Sequence, residues 1–184
     1  MFMRKLLKNH FILGFVPFGG TFDDFIKPFI AEIKLLERGQ IMNIQGQDYW
    51  ITAGLGVVTT DLPQGNDLAG VKRYGANKGC RTCQVSKKQL TNSNLDIINL
   101  LRYRHLTDKQ FHEISLANTS LKRQQIATKY GLCLKPPVLS QLLWDRHLQS
   151  PQDIYHATAG KIMRLLRLTV GLFLLEGQKT FTKT

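Results

Sequence analysis

The sequence predicts an α/β fold in the first third of the chain and a basic, mostly helical region after it. Two observations support this prediction. Apolar runs of strand length lie at residues 10–16, 41–45 and 49–60, with one amphipathic helix between the first two. Farther along the chain, apolar residues recur with the spacing of helices instead. We therefore divide the chain at about residue 85, into segments 1–85 and 86–184.

The amphipathic helix of the first segment is framed by residues typical of helix ends. Thr21 is the predicted N-cap of a helix that reaches about Glu37, and Gly39 ends it. Pro28 either opens this helix late or kinks it. The run at 49–60, YWITAGLGVVTT, is apolar on both faces, which is typical of a central strand covered on both sides.

The second segment contains five predicted helices, and a glycine-rich loop at 61–83 precedes it. The helices span residues 96–103, 107–116, 120–130, 139–148 and 151–176. The stretch 121–132, LKRQQIATKYGL, is compatible with one helix of a helix-turn-helix, because its Lys and Arg residues suit phosphate contacts. A packed helix with a solvated basic face is the simpler interpretation.

The charge of the chain points to a polyanionic partner. The net charge is +12 and the pI is about 9.9. This excess favours nucleic acid first and an anionic membrane surface second. A basic helical protein at a membrane surface is therefore the last of our hypotheses.

Cysteine usage and apolar runs indicate the compartment. Three cysteines do not suit a disulfide framework, which favours a reducing compartment. The N-terminal run FILGFV is short and no small-residue cleavage site follows it, so we do not expect a secretory signal. The C-terminal run IMRLLRLTVGLFLL falls short of the roughly 20 residues that a spanning helix needs. We expect an intracellular protein with no membrane partner.

Asp61 is the first candidate site residue. It follows an apolar run, and functional groups in α/β sheets lie beyond the carboxyl ends of strands. Pro63 prevents the strand from continuing. Asp-Leu-Pro is equally an ordinary start of a turn. The residues alone leave both interpretations open.

A Cys-x-x-Cys pair, Cys80 and Cys83, ends the glycine-rich loop. It is compatible with half of a zinc site, a redox pair or two structural thiols. Because the chain has no second Cys-x-x-Cys, the other zinc ligands must come from elsewhere. The candidates are His105, His112, His147, His156, Asp153 and Cys133. Asp153 and His156 have a spacing that places both on one helical face, although Asp153 is also a typical first-turn acid.

The order of these pieces resembles that in the CACTA-type (En/Spm-like) DDE transposases, over most of residues 11–161. The pieces are FILGFVPFGG, FDDFIKPFIAEIKLLERG, ITAGLGVVTTDLPQGNDLAG, KGCRTC and DIYHATAGK. Such transposases pair a D-x-P…N-x-x-G loop with a following CxxC, and later show D-x-x-H at the start of a helix. The matching residues are Asp61, Pro63, Asn66 or Asp67, Gly70, Cys80, Cys83, Asp153 and His156.

The resemblance implies a partial RNase H-like sheet in the first segment and a helical insertion in the second. Asp61 would be the second acid of the DDE set. In two-metal chemistry, carboxylates hold two Mg²⁺ or Mn²⁺ ions, which activate the attacking oxygen and stabilise the leaving oxygen. By analogy with the related V(D)J recombinase, Cys80 and Cys83 would bind zinc with His156 and with Asp153 or His147.

The chain also departs from the family pattern. The first acid is expected on a strand before FILGFVPFGG, and no such strand is found in the sequence. Glu176 is the candidate for the last acid, and a residue that simply ends the last helix is the alternative interpretation. We therefore expect a fragment of the catalytic region that does not catalyse alone.

Two functions follow from the resemblance. The first is the central part of a DDE transposase core that cleaves and joins DNA. The alternative is a non-catalytic, zinc-stabilised DNA- or protein-binding module derived from a transposon. The expected partners are DNA at transposon ends and a second copy of the chain, and the expected location in a eukaryotic host is the nucleus. The candidate DNA contacts are Lys72, Arg73, Lys122 and Arg123.

Overall fold

The computed structural model describes residues 11–73 and 75–172, without the side chains of residues 156 and 157. The chain divides into two compact units, the first ending at Gly54 and the second beginning at Leu55. The division near residue 85 rests on a different criterion, the change from strand to helix patterns, and it stays a prediction.

The first unit contains one helix and one pair of strands. These are α1 (Phe22–Arg38), β1 (Gln40–Ile44) and β2 (Gln47–Ile51). The hydroxyl of Thr21 accepts a hydrogen bond from the Asp24 amide at 3.1 Å, and the helix ends at Gly39 with a φ of 86°. Both predicted helix ends are confirmed. The helix is continuous through Pro28, so the proline does not open it.

The two strands form an antiparallel hairpin in which Ile41 lies opposite Trp50. Gln45 and Gly46 connect them, and both have positive φ, as in the hairpin turns whose twist matches that of the strands. Four residues in each strand are exposed. The protein is therefore a mixed helix and strand protein, as the broad prediction had it.

Two predicted strands are wrong. Residues 11–16 have no strand structure, and the predicted strand at 49–60 ends at Ile51. The backbone of the second stretch hydrogen-bonds to separate places instead of to one neighbouring strand. The Ala53 amide donates to the Leu36 carbonyl at 3.1 Å, and the Val58 amide donates to the Gln149 carbonyl at 2.8 Å.

The second unit is mostly helical. Its helices are α2 (Leu62–Leu68), α3 (Arg104–Leu116), α4 (Ser120–Tyr130) and α5 (Ile154–Leu172), with short 3₁₀ turns at Lys87–Gln89, Ile98–Leu100 and Val138–Gln141. The predicted helices at 107–116 and 120–130 are confirmed. The last helix begins at Ile154, and residues 173–176 lie outside the described part of the chain. The predicted loop at 61–83 contains α2.

The predicted helices at 96–103 and 139–148 are wrong, and local carboxylates explain why. Asp96 accepts hydrogen bonds from the amides of Ile98 and Asn99. Asp145 accepts in the same way from the amides of His147 and Leu148. Such bonds satisfy the backbone donors within a turn and compete with helix formation.

The core of the second unit joins α3, α4 and the segment after α2. It consists of Ala69, Val71, Phe111, Ile114, Ala127 and Leu132, with Ile126 and Tyr130 packed at its edge. Gly131 ends α4 with a φ of 70°, and a Cβ atom at this position would collide with the Lys78 carbonyl. The chain then returns beside α2, where Leu132 forms an antiparallel bridge with Val71. Among the described residues, no helix is both long and apolar enough to cross a membrane.

Candidate functional site

Asp61 is the N-cap of α2. Its Oδ1 accepts a hydrogen bond from the Gln64 amide at 2.8 Å, and Pro63 occupies the first turn of the helix. Asp61 therefore starts a helix, whereas the sequence left open a turn or a site at the end of a strand, and residues 55–60 before it are not a strand. The same bond holds the carboxylate in one orientation.

Asn66, on α2, hydrogen-bonds to the backbone at two points of the glycine-rich loop. Its side-chain amide donates to the carbonyls of Lys72 at 3.1 Å and Gly79 at 2.8 Å, and only 7% of the residue is exposed. Gly79 directly precedes Cys80. The short helix that begins at Asp61 thereby positions the cysteine loop.

The predicted DNA contacts have different environments. Arg73 forms an ion pair with Asp67 at 2.7 Å, which raises the pKa of its guanidinium. Lys72 donates to the Thr128 hydroxyl at 2.6 Å. Lys122 and Arg123 are exposed on α4.

The two cysteine thiols differ in acidity. Burial opposes ionisation of Cys80, but hydrogen bonds from Thr82 and Cys83 hold the pKa of its thiol below the usual value. The Cys80 Sγ lies 3.0 Å from the Thr82 hydroxyl. Burial raises the pKa of the Cys83 thiol, and the neighbouring Cys80 adds to this effect. Cys80 is therefore the first of the pair to become a thiolate, the form that binds metal.

A buried arginine, Arg102, forms hydrogen bonds with the backbone of the cysteine loop. Arg102 is 1% exposed and donates to the carbonyls of Cys80 at 2.8 Å and of Lys78 and Tyr130 at 3.0 Å. Burial lowers its pKa to about 10, while the charges of Cys80 and Cys83 act in the opposite direction. Its three hydrogen bonds in the described structure go to neutral carbonyls, so ionisation of a neighbouring thiol would stabilise the guanidinium.

Arg81, inside the Cys-x-x-Cys motif, clasps the loop to the segment that precedes α5. Its Nε donates to the Ser150 carbonyl at 3.1 Å, and its Nη2 donates to the Pro151 carbonyl. The side chain is fully buried and packs against Gly65 of α2, where a Cβ atom would collide with Nη1. We call this set of contacts the Arg81 clasp.

His147 reinforces the clasp. Its Nδ1 lies 2.8 Å from the Arg81 carbonyl, which can only accept, so Nδ1 carries the proton. In the neutral ring, Nε2 then accepts from the Thr107 hydroxyl at 2.8 Å, and the Tyr103 carbonyl, 3.0 Å from the same hydroxyl, competes for its one proton. Burial lowers the pKa of His147 to about 4. Both ring nitrogens are occupied, so His147 does not fit the zinc-ligand role that the sequence left open.

The clasp brings distant parts of the chain to one cavity. Thr59, Thr60, Pro151, Gln152 and Asp153 line a cavity of about 380 Å³. The segment before Asp61 and the start of α5 thus meet there. Asp153 also acts electrostatically on Arg81, whose pKa burial lowers and Asp153 raises.

The predicted zinc ligands Cys80, Cys83 and Asp153 lie among the described side chains. Cys80 and Cys83 supply two thiols beside a compensating guanidinium, which fits half of a tetrahedral zinc site. The His156 side chain and Glu176 lie outside the described residues. Within the described part of the chain, no three His, Cys, Asp or Glu side chains form a group that could hold a metal ion.

Sequence reasoning missed the roles of Arg81, Arg102 and His147. Their partners are carbonyls and a hydroxyl that lie 22 to 70 residues away along the chain. No local pattern marks such contacts, although an arginine inside a Cys-x-x-Cys motif is a usable signal. No protein-family model matches the chain, and neither does any curated protein sequence.

Proposed function

We propose that this chain is the central part of a DDE transposase-like catalytic region, in which a zinc-bound cysteine loop supports a metal-binding acid, Asp61. The observation that supports this best is the Arg81 clasp. It joins the Cys80–Cys83 loop to Ser150 and Pro151, which lie three and two residues before Asp153. The clasp thereby brings two of the pieces that carry the resemblance, the cysteine loop and the start of α5, close together within the second unit.

The proposed role of Asp61 is to hold Mg²⁺ or Mn²⁺. A carboxylate that serves a metal must be held rigidly, and the bond from the Gln64 amide to Oδ1 does this. When bound, such ions activate an attacking oxygen and stabilise a leaving oxygen in phosphoryl transfer. Glu176 is the proposed last acid. Because no first acid is identified in the sequence, we expect no DNA cleavage by this chain alone.

The proposed role of Cys80 and Cys83 is to bind structural zinc with His156 and Asp153. Hydrogen bonds favour the Cys80 thiolate, and Arg102 carries a buried positive charge beside it. Zinc would then fix the start of α5 to the loop, in parallel with the Arg81 clasp. This site would stabilise the fold and take no part in the reaction.

The remaining parts of the proposal come from the resemblance and the charge. The fold is a partial RNase H-like sheet with a helical insertion, and the partner is DNA at transposon ends, bound by a homo-oligomer in the nucleus of a eukaryotic host. The net charge of +12 favours a polyanion. The alternative function is a zinc-stabilised binding module without catalysis. It is favoured by the observation that Asp61 already caps α2.

Metal analysis of the purified chain tests the zinc site. We expect about one zinc ion per chain in the wild type and in the control variant Cys133→Ser, and none in Cys83→Ser. Cys133 is a matched control because it is also partly buried but lies outside the motif. Equal zinc content in all three proteins, or none, would contradict the proposed site.

Iron-mediated backbone cleavage tests Asp61 separately. Fe²⁺ takes the place of Mg²⁺, and peroxide then generates radicals that cut the chain beside the ion. We expect cuts near residues 59–62 that disappear in Asp61→Asn. Asparagine is an equally good N-cap, so this variant keeps α2 intact. Zinc binding without such cuts would support the alternative module instead.

A further inference from the structure

The connection between α3 and α4 has the length of a helix-turn-helix. Only Ala117, Asn118 and Thr119 separate the two helices, and both Ala117 and Thr119 have extended backbone angles. The Thr119 hydroxyl accepts from the Lys122 amide at 3.2 Å and caps α4. A turn of three or four residues joins the two helices of a helix-turn-helix.

The two halves of α4 have different environments. Ala127, Ile126 and Tyr130, in the second half, pack into the core with residues of α3. The Tyr130 hydroxyl also donates to the Glu113 carboxylate at 2.6 Å. Residues 120–125, in the first half, are all exposed. The helix is therefore anchored at one end and presents the other end to solvent.

The exposed half carries side chains that suit base edges. They are Leu121, Lys122, Arg123, Gln124 and Gln125. Gln pairs with adenine, Lys and Arg pair with guanine or phosphate, and apolar groups contact the thymine methyl group. Leu121 is 68% exposed, so core packing does not account for it. The Arg123 Nε donates to the Ala117 carbonyl at 2.9 Å, which orients this side chain along the turn.

The charged residues of α4 itself, and of the chain on either side of it, are all basic. No acidic residue occurs between Glu113 and Asp145, whereas this stretch contains Lys122, Arg123, Lys129 and Lys135. The basic side chains of such an exposed helix can contact DNA phosphates, and its side-chain amides can contact base edges.

We propose that α3 and α4 form a helix-turn-helix and that residues 121–125 of α4 enter the major groove of duplex DNA and read its sequence. This inference rests on the proposed function only in taking DNA as the ligand. It requires neither Asp61 nor the cysteine pair. In such motifs the N-terminal residues of the second helix contact the base edges.

Selection from a pool of random-sequence duplexes, carried out with the whole chain, tests the inference. We expect one motif of about four base pairs to be enriched, since three or four side chains reach base edges in such motifs. Affinities for the selected duplex and for a scrambled duplex are then compared by fluorescence anisotropy at two salt concentrations.

The variants separate base contacts from phosphate contacts. Gln124→Ala and Gln125→Ala should weaken binding to the selected duplex by roughly 5- to 150-fold and leave the scrambled duplex nearly unaffected. Lys122→Ala should weaken both duplexes and reduce the salt slope by about 1. Lys88→Ala is the matched control, because it removes the same charge from an exposed position in another part of the second unit.

Several results would overturn the inference. One is the absence of an enriched motif, and another is tighter binding to single-stranded DNA than to the duplex. A third is an equal loss of affinity for the selected and scrambled duplexes in the two glutamine variants. The fourth is an equal loss of affinity in Lys88→Ala and Lys122→Ala. Circular dichroism confirms that each variant is folded. Asp61→Asn should keep the same motif, so the iron-cleavage experiment can fail while DNA reading by α4 stands.

Discussion

Acid should destabilise this protein through His147. The ring is 3% exposed, and burial lowers its pKa to about 4. In the unfolded chain the same ring has a pKa near its ordinary value of 6.5. Below that value the unfolded state binds a proton that the folded state does not. Stability is therefore complete above about pH 6.5 and declines as the pH falls towards 4.

The size of this effect follows from the two pKa values. Each pKa unit corresponds to about 1.4 kcal/mol, and at pH 4.5 most of the interval has been crossed. The wild-type free energy of unfolding should thus fall by about 2.5 kcal/mol through His147 alone between pH 7.5 and 4.5. Because the ring is buried, solvent screening reduces this value little.

Urea unfolding at the two pH values measures the effect. Trp144 is 1% exposed, so its fluorescence reports the unfolding of the second unit. In His147→Gln the decline with acid should be smaller than in the wild type by about 2 to 3 kcal/mol. The exposed His112, replaced by Gln, serves as the control and should behave as the wild type. Equal declines in wild type and His147→Gln would show that protonation of His147 does not cause the loss of stability in acid.

Three further substitutions test the packing of the second unit by urea unfolding. Gly65→Ala places a methyl group against Arg81, so we expect a loss of about 1–3 kcal/mol and faster proteolysis beside Pro151; an unchanged stability would contradict the clasp. Gly131→Ala should cost at least 1–2 kcal/mol, roughly the left-handed backbone penalty, and a neutral result would exclude the described end of α4. Thr119→Ala should cost about 1 kcal/mol through loss of the α4 cap, whereas Thr119→Ser should restore most of it.

Local signals in the sequence predicted the helix ends well. Thr21 and Gly39 mark α1 because their side-chain and backbone chemistry acts on the nearest residues alone. The predicted strand at 49–60 is wrong beyond Ile51. An apolar run indicates that a segment can pair as a strand, but it does not indicate whether a partner strand is present. The predicted helix at 139–148 is wrong because Asp145 bonds the amides that a helix would need.

The site could be predicted only in its parts. The sequence indicated Asp61 and the cysteine pair as candidates, and the structure places Thr59 and Thr60 on the same cavity as Asp153. The contact that brings the start of α5 to the cysteine loop is made by Arg81 over 69 and 70 residues. Such long-range bonds depend on the whole packing of the second unit, so single-sequence reasoning has no means of finding them.

The bonds of Arg102 bear on the order in which the chain assembles. This side chain donates hydrogen bonds to the carbonyls of Cys80, Lys78 and Tyr130, which lie 22, 24 and 28 residues away along the chain. A helix such as α4 forms from near neighbours, whereas these bonds require large loops to close first. The bonds of Arg102 therefore couple the position of Cys80 to the C-terminal end of α4.

We therefore expect the cysteine loop to become ordered late in folding. In pulse-labelling hydrogen exchange, the Gln84 amide, which donates to the Leu100 carbonyl at 2.7 Å, should gain protection after the Arg123 amide within α4. Simultaneous protection of both amides would show that helix and loop assemble together. In a partly folded chain, α4 would be formed and the cysteine loop would not yet be ordered. The proposed zinc ion would then bind the cysteine pair only at the last stage of folding.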